Sequence, residues 1–255
     1  MKKINLVVLM MVALVGQSFG WGANGHRAVG EIAEQHLSSK ARKAILALMG
    51  DENLAMASTW ADEVKSDHAY DSCNVYHYVN MKGDETYERS TKNPEGDAVM
   101  ALELMSSILK DPNATIEKKR EAFRYIVHIV GDLHQPMHVG HAEDLGGNIV
   151  KVKWFRKDSN LHRVWDSDII NYLDLSYTEL ARHVGIPKEA EVKEWQSAKV
   201  LDWVEESHLI ANELYDNVGD GNFGYRYVYD YKDVMYHQIL KGGVRLAGYL
   251  NELFG

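Results

Sequence analysis

Residues 114–136, ATIEKKREAFRYIVHIVGDLHQP, constrain the fold more than any other stretch of the chain. Helical periodicity, with Thr115 as the N-cap and Pro136 near the end, predicts one long helix. His128 and Asp132 are four residues apart and share a face of that helix. Their neighbours are apolar, namely Ile126, Val127, Ile129, Val130 and Leu133. Because a buried, unpaired carboxylate is very costly, Asp132 needs a cation or a set of hydrogen-bond donors.

Helical periodicity also dominates the rest of the chain. It predicts further helices over 25–37, 38–49, 54–66, 96–111, 189–215 and 228–253. The exception is 148–165, where alternating Val and aromatic residues around a Lys-Asp-Ser-Asn turn predict a short β-hairpin. The stretches 81–96 and 217–226 have the composition of loops. We therefore predict an all-α fold with one small hairpin.

The first twenty residues have the composition of a secretory signal peptide. An unbroken apolar run, Leu6–Val15, follows two lysines, and the small residues Ser18 and Gly20 suit cleavage between Gly20 and Trp21. The run is shorter than the roughly 20 residues that span a bilayer, and no anchor is indicated. We expect a mature domain of residues 21–255 that is secreted or periplasmic.

The charge and cysteine content narrow the possible functions. A net charge of −9 makes broad electrostatic contact with duplex DNA a poor expectation. A polyanionic substrate would need local positive charge, and twelve histidines suggest that bound metal supplies it. A single cysteine, Cys73, excludes an internal disulfide.

Basic and aromatic residues alternate in the predicted hairpin. Its cations are Lys151, Lys153, Arg156 and Lys157, interleaved with Trp154 and Phe155. Such a set could contact a nucleic acid by charge and stacking. The alternation alone, however, favours a hairpin with an ordinary polar face.

Histidine and carboxylate residues recur at helical spacing elsewhere. His162 and Asp166 repeat the spacing of the central pair, and His138 follows Pro136 closely. Further candidates are Asp62, His77 and His26. Imidazole and carboxylate together suit zinc. Any single pair could instead be a hydrogen bond within a helix, and spacing alone does not show that these segments meet.

Six motifs occur in a fixed order between Trp21 and Asp166: WGANGHRAVGEIAE, WADEVKSD, YHYVN, HIVGDLHQPMHVG, GGN and LHRVWD. As a set they closely resemble the S1/P1 family of zinc-dependent single-strand nucleases. The resemblance implies a secreted protein with a helical fold of the phospholipase C type and a cluster of three zinc ions.

The resemblance also implies which residues bind zinc. The first ion would be held by Asp62, His77, His128 and Asp132. The second would be held by Asp132 as a bridge, by His26, and by the α-amino nitrogen and carbonyl oxygen of Trp21. The third would be held by His138, His162 and Asp166.

The activity implied is hydrolysis of the P–O3′ bond in single-stranded DNA and RNA, giving 5′-phosphorylated products, together with 3′-nucleotidase action. Asp62, Lys65 and Asp132 would be catalytic. Lys65 stands where well-known members carry a phosphate-binding Arg, and Asn80 stands where some have a base-contacting Asp. Tyr78 would stack on a base, although it could instead be an ordinary core tyrosine. Asn148 would lie near the phosphate, or it could instead stabilise a turn. Single-stranded nucleic acid and nucleotides are the expected partners, and no protein partner is implied.

Two other functions stay open at this point. Zinc phospholipases C resemble these nucleases in fold and metal cluster, but typically have Glu where this chain has Asp166. A non-enzymatic zinc-binding protein is the second alternative.

Overall fold

The computed structural model describes residues 21–255. The predicted signal peptide, residues 1–20, lies outside the described residues. The α-helices are α1 Ala23–His36, α2 Ser39–Met49, α3 Leu54–Ala57, α4 Trp60–Glu63, α5 Ala98–Lys110, α6 Ile116–Asp132, α7 Leu161–Arg163, α8 Ile169–Tyr172, α9 Tyr177–His183, α10 Glu189–Ser197, α11 Val200–Asp216 and α12 Tyr225–Phe254. The strands are β1 Lys151–Trp154, β2 Lys157–Asn160 and β3 Asn222–Phe223. The mostly helical fold confirms the predicted class.

Helix α6 forms the centre of the molecule. Thr115 caps its N-terminus by accepting a hydrogen bond from the Lys118 N–H. Its first turns are largely exposed, but from Phe123 onward most of its residues are buried. It packs against α5 and α12, and α1 packs against α12 on the same core. The buried half of α6 therefore carries His128 and Asp132 into the interior, as the apolar pattern predicts.

Several predicted helices end or break earlier than their periodicity suggests. The predicted helix 54–66 is divided into α3, α4 and a 3₁₀ turn, and the predicted 189–215 helix is interrupted at Ala198, which is extended. Helix α6 ends at Asp132, and a separate 3₁₀ turn, Pro136–Val139, begins at the proline. Proline fixes φ and lacks an N–H, so it starts a new turn rather than continuing the helix.

The hairpin forms, but its turn is not where the sequence predicts. Trp154 pairs with Lys157, so the loop consists of Phe155 and Arg156. The Lys-Asp-Ser-Asn segment is strand β2 itself. Strand β3 pairs in parallel with β1 on its other side, and the sheet order is β2-β1-β3. No helix within residues 21–255 has the length and apolar character needed to cross a membrane.

Candidate metal centre

Two histidines and one carboxylate converge at the end of α6. His128 Nε2 and His77 Nδ1 each lie 3.0 Å from Asp132 Oδ2. The two ring nitrogens are 2.9 Å apart. Tetrahedral zinc with bonds of roughly 2.0–2.1 Å would hold its ligand atoms about 3.3 Å apart. The spacing of these three atoms therefore suits a shared metal ion.

Helix α4 and the 3₁₀ turn Val64–Ser66 that follows it add a carboxylate and an ammonium group to this place. Asp62 Oδ1 lies 3.6 Å from His128 Nε2 and 3.9 Å from His77 Nδ1. Lys65 Nζ lies 2.8 Å from the same Asp62 oxygen. Because Asp62 lies in α4 and Lys65 follows three residues later in the next 3₁₀ turn, both side chains reach the centre together.

His26, from α1, approaches the other oxygen of Asp132. His26 Nε2 lies 3.2 Å from Asp132 Oδ1, and the ring stacks on His128 with centroids 3.9 Å apart. Despite this distance, neither ring nitrogen of His26 nor Asp132 Oδ1 has a well-aligned hydrogen bond within residues 21–255, and all three atoms are buried. Buried polar atoms left without partners are costly, and a bound cation at this place would satisfy them.

Gly131 makes this approach of His26 possible. A Cβ at position 131 would lie 2.7 Å from His26 Nδ1 and 3.1 Å from its Cε1. Any larger side chain would thus occupy the space of the imidazole.

A second cluster contains His138, His162 and Asp166. His162 Nε2 lies 3.0 Å from Asp166 Oδ2, and His138 Nε2 lies 3.5 Å from Asp166 Oδ1. Asp166 is in a π-helical turn, Val164–Asp168, a feature that often accompanies functional sites. Gln135 donates to Asp166 Oδ1 through its side-chain amide. His138 Nδ1 lies 3.5 Å from Asp132 Oδ1, so the two clusters adjoin.

The outer nitrogens of three histidines are fixed by backbone carbonyls. His128 Nδ1 donates to Ser58 O at 2.6 Å, His138 Nδ1 to His77 O at 2.5 Å, and His162 Nδ1 to Gly146 O at 2.7 Å. Each bond selects the tautomer that leaves Nε2 with a lone pair facing the centre. Metal-binding histidines are usually oriented in this way.

The charges at the centre also favour a cation. Burial alone would raise the pKa of Asp132, but His128 and His138 outweigh burial and hold it well below its usual range. Burial and the charge of Lys65 lower the pKa of His77 to about 4. Burial lowers the pKa of His138, yet Asp132 and Asp166 reverse this and raise it to about 9. A cation binding beside His138 would therefore displace a proton.

Within residues 21–255 the structure brings all eight predicted metal-binding side chains together. They form three groups, of which the first two share His128: His26, Asp62 and His128; His77, His128 and Asp132; and His138, His162 and Asp166. The Trp21 side chain is buried, and the Gly22 N–H next to it donates to Asp166 O at 2.6 Å. Trp21, the predicted ninth ligand, therefore lies next to a residue that contacts Asp166.

The predicted substrate-contacting residues lie around the centre. Tyr78 and Asn80 line a cavity of about 380 Å³ together with Thr91, Lys92 and Asn93. Asn148 belongs to the glycine loop that holds His162 and donates to Leu145 O at 2.9 Å.

Sequence reasoning missed some of the residues that support the centre. Gln135 and Gly131 have no sequence signal beyond their closeness to histidines and carboxylates. His134, in the same segment, has partners elsewhere: its Nδ1 donates to Val130 O at 2.7 Å, and its Nε2 lies 3.2 Å from Arg245 Nη1.

Comparison with known proteins agrees with this geometry. The sequence profile described as S1/P1 Nuclease matches residues 21–255. Endonuclease 2 of Arabidopsis thaliana is 30% identical over 98% of this chain and 98% of its own length. Nuclease S1 of Aspergillus oryzae is 30% identical over 62% of this chain and 57% of its own length. Nuclease P1 of Penicillium citrinum is 26% identical over 92% of this chain and 98% of its own length.

Proposed function

The chain belongs to the S1/P1 nuclease family, and we propose that this nuclease is a zinc-dependent endonuclease of single-stranded DNA and RNA. It would leave 5′-phosphorylated products and also remove 3′-phosphates from nucleotides. The convergence of His26, His77 and His128 on the two oxygens of Asp132 carries the proposal, and a second cluster around Asp166 adjoins it. Family membership disfavours the phospholipase C and non-enzymatic alternatives.

We propose that nine residues hold three zinc ions: Trp21, His26, Asp62, His77, His128, Asp132, His138, His162 and Asp166. The orphaned polar atoms of His26 and Asp132 and the fixed tautomers described above support this donor set. Bound zinc would supply the positive charge that an anionic phosphate requires and would acidify a water molecule for attack.

Asp132 and Asp62 would organise the catalytic centre. The two Asp132 oxygens face different groups, Oδ2 toward His77 and His128, and Oδ1 toward His26. This arrangement suits a bridge between two ions. Asp62 would complete the first site while its partner Lys65 lies beside it.

Lys65 would bind the phosphate of the substrate. Its side chain is almost fully buried at the centre, where its charge is poorly screened by water. An ammonium group can neutralise a phosphate oxygen as a point charge but lacks the two-pronged geometry of Arg. Asn148 would assist from the glycine loop.

The cavity beside Tyr78 and Asn80 would receive one base. A base can enter such a cavity only when it is unpaired and unstacked, which supports the preference for single strands. Tyr78 would provide a stacking face, and the Asn80 amide can both donate and accept hydrogen bonds.

We also propose that residues 21–255 form the mature, exported domain. Cleavage after Gly20 would free the α-amino group of Trp21, which otherwise remains an amide and a poor ligand. The buried position of Trp21 supports this role.

The first test is release of acid-soluble nucleotides from single-stranded DNA, RNA and duplex DNA by protein beginning at Trp21. We expect rapid release from single strands, loss of release with a chelator and recovery with zinc. Equal rates on duplex DNA would refute the strand preference, and activity that survives chelation would refute the zinc requirement. A matched protein with one extra residue before Trp21 should bind one zinc fewer by elemental analysis.

A further inference from the structure

The glycine loop, residues 144–149, fixes one of the proposed metal-binding histidines. Gly146 O accepts a hydrogen bond from His162 Nδ1 at 2.7 Å, and Gly147 O accepts one from the His162 N–H at 3.4 Å. The first bond leaves the lone pair on His162 Nε2, the atom that lies 3.0 Å from Asp166 Oδ2. The position of these two carbonyl groups therefore decides how His162 is presented to a cation.

The same loop packs against the 3₁₀ turn that carries His138. A Cβ at position 146 would overlap Met137 O, so the two backbones are in close contact. The Gly146 N–H also donates to His141 O at 2.9 Å, on the other side of that turn. A displaced glycine loop would thus disturb His138 as well as His162.

The backbone of the loop is not favourable by itself. Three consecutive residues are left-handed, with φ = 58° at Leu145, 64° at Gly146 and 83° at Gly147. Leucine has a Cβ that disfavours this region, and its side chain is 59% exposed, so burial does not hold it there. Such conformations persist only where the surrounding structure determines them. The loop therefore depends on contacts from outside itself.

Tyr215, near the end of α11, and Asp144 supply such a contact. The Tyr215 hydroxyl donates to Asp144 Oδ1 at 2.8 Å, and the same oxygen accepts from the Gly147 N–H at 2.7 Å. The hydroxyl also accepts from the His141 N–H at 3.2 Å. Burial raises the pKa of Tyr215, so the hydroxyl keeps its proton and remains a donor. One carboxylate oxygen thus links α11 to the glycine loop.

Other side chains of α11 hold the preceding segment in the same way. Ser207 donates to Leu133 O at 2.6 Å, and His208 Nδ1 lies 2.7 Å from Val139 O. His208 and Tyr215 are seven residues apart and share a face of the helix. That face packs along the chain from the end of α6 through the turn of His138, and its last contact, made by Tyr215, reaches the glycine loop.

We propose that Tyr215 and Asp144 are positioning residues for the third metal site. They hold the glycine loop so that His162 presents Nε2 beside Asp166, and they act through His162 rather than by contact with the ion. Residues that support a metal ligand in this way typically change metal affinity by about 10–100-fold. The inference rests on the proposed function, because it assumes that the cluster of Asp166 holds zinc.

Tyr215→Phe tests the link with the least disturbance. The ring that stacks on His141, with centroids 3.9 Å apart, stays in place and only the hydroxyl is removed. We expect one zinc ion to bind about tenfold more weakly or worse, and the other two with wild-type affinity. Titration of metal-free protein with zinc against a chromogenic chelator measures each site. On a dinucleotide, kcat should fall about tenfold with KM within twofold, and excess zinc should restore most of kcat.

Two substitutions of Asp144 separate its geometry from its charge. Asp144→Ala removes the shared acceptor and should weaken the third site at least as much as Tyr215→Phe. Asp144→Asn keeps an Oδ1 that can accept from both the Tyr215 hydroxyl and the Gly147 N–H, so it should recover most of that affinity. Combining Tyr215→Phe with Asp144→Ala should add little further loss, because both changes break one link.

Tyr249→Phe is the matched control for lost stability. Tyr249 is half-buried on α12, as Tyr215 is on α11, and its hydroxyl lies 2.7 Å from Ser106 Oγ. We expect this variant to have a lower thermal midpoint but unchanged affinity at all three zinc sites.

The tautomer of His162 gives a measurement that needs neither zinc nor substrate. Nitrogen NMR of the imidazoles in metal-free wild type should place the His162 proton on Nδ1, and Tyr215→Phe should give a mixture of tautomers. If wild type binds no zinc and cleaves no substrate, the proposed function fails. The tautomer then still decides whether Tyr215 positions His162.

Three outcomes would overturn the proposal. One is a Tyr215→Phe variant with wild-type zinc affinity, kcat and His162 tautomer. Another is an equal weakening of all three sites that follows the thermal midpoint, which would make the contact merely structural. The third is the same selective loss of one zinc in Tyr249→Phe.

Discussion

Replacing Gly131 by alanine tests the geometry of the metal centre most directly. In an ordinary helix this change stabilises the protein by roughly 0.5–1 kcal/mol, because glycine loses more conformational freedom on folding. Here the new Cβ would lie 2.7 Å from His26 Nδ1, whereas ordinary contact begins at 3.4 Å. The imidazole must move by about 0.7 Å.

The ring has little freedom to make that movement. His26 is fully buried and stacks on His128 with centroids 3.9 Å apart. Overpacking of this kind typically costs about 1–3 kcal/mol, which outweighs the gain in helix propensity. Misplacing a catalytic group by about 1 Å costs on the order of 100-fold in rate. We expect Gly131→Ala to lose close to one zinc per chain and about 100-fold in kcat/KM.

A double-mutant cycle isolates the contact. In a His26→Ala background the alanine has no ring to displace, so Gly131→Ala should now stabilise the protein by about 0.5–1 kcal/mol. Urea denaturation of the four proteins measures the coupling, and elemental analysis measures the metal. Full zinc content and near-normal activity in the single variant, or the same stability change in both backgrounds, would refute the reasoning.

Three further predictions follow from other contacts. Lys65→Gln should lower kcat/KM by about 100-fold, whereas Lys65→Arg should preserve it, because either cation can pair with phosphate. Kinetics on a dinucleotide compare the two variants, and a fully active Gln variant would contradict the proposed role of Lys65. Asp132→Asn should lose more zinc than Asp166→Asn, since its two oxygens face different groups; equal, mild losses by elemental analysis would count against a bridge. Burial would raise the pKa of Glu206, but hydrogen bonds led by that from Arg245 lower it to about 2. Because the pKa is lower in the folded state, ionised Glu206 stabilises the fold at pH values above its unfolded pKa of 4.5. This stabilisation is lost as the pH falls toward 2. Glu206→Gln should thus lower the free energy of unfolding by about 2 kcal/mol at pH 7, after allowance for the partial exposure of the side chain, and by progressively less in acid. A difference between wild type and variant that stays constant with pH in thermal melts would refute this.

The central pair of the candidate site could be predicted from the sequence because the apolar residues around it are visible there. An apolar helix that carries His128 and Asp132 must bury them, and burial of a carboxylate requires a counter-charge. The remaining ligands follow from motif resemblance, not from spacing. Contacts made through space, such as Gln135 with Asp166 or Gly131 with His26, depend on how distant helices meet.

The hairpin turn shows why local preference was insufficient. Lys-Asp-Ser-Asn has good turn composition, but this segment pairs with β1, and Val152 is buried while its neighbours face solvent. The register is fixed by that burial and by the parallel pairing of β1 with β3. The turn therefore falls on Phe155 and Arg156 in spite of their propensities.

The spread of the metal-binding side chains along the chain has a consequence for folding. The proposed ligands extend from His26 to Asp166, so the centre joins segments more than a hundred residues apart. Closing such long loops carries an entropic cost before any contact repays it. Once the segments have met, ions held between them would act as cross-links in a chain whose single cysteine cannot form an internal disulfide. The free energy of unfolding should then rise with free zinc, by about 1.4 kcal/mol per site for each tenfold increase above the dissociation constant of that site.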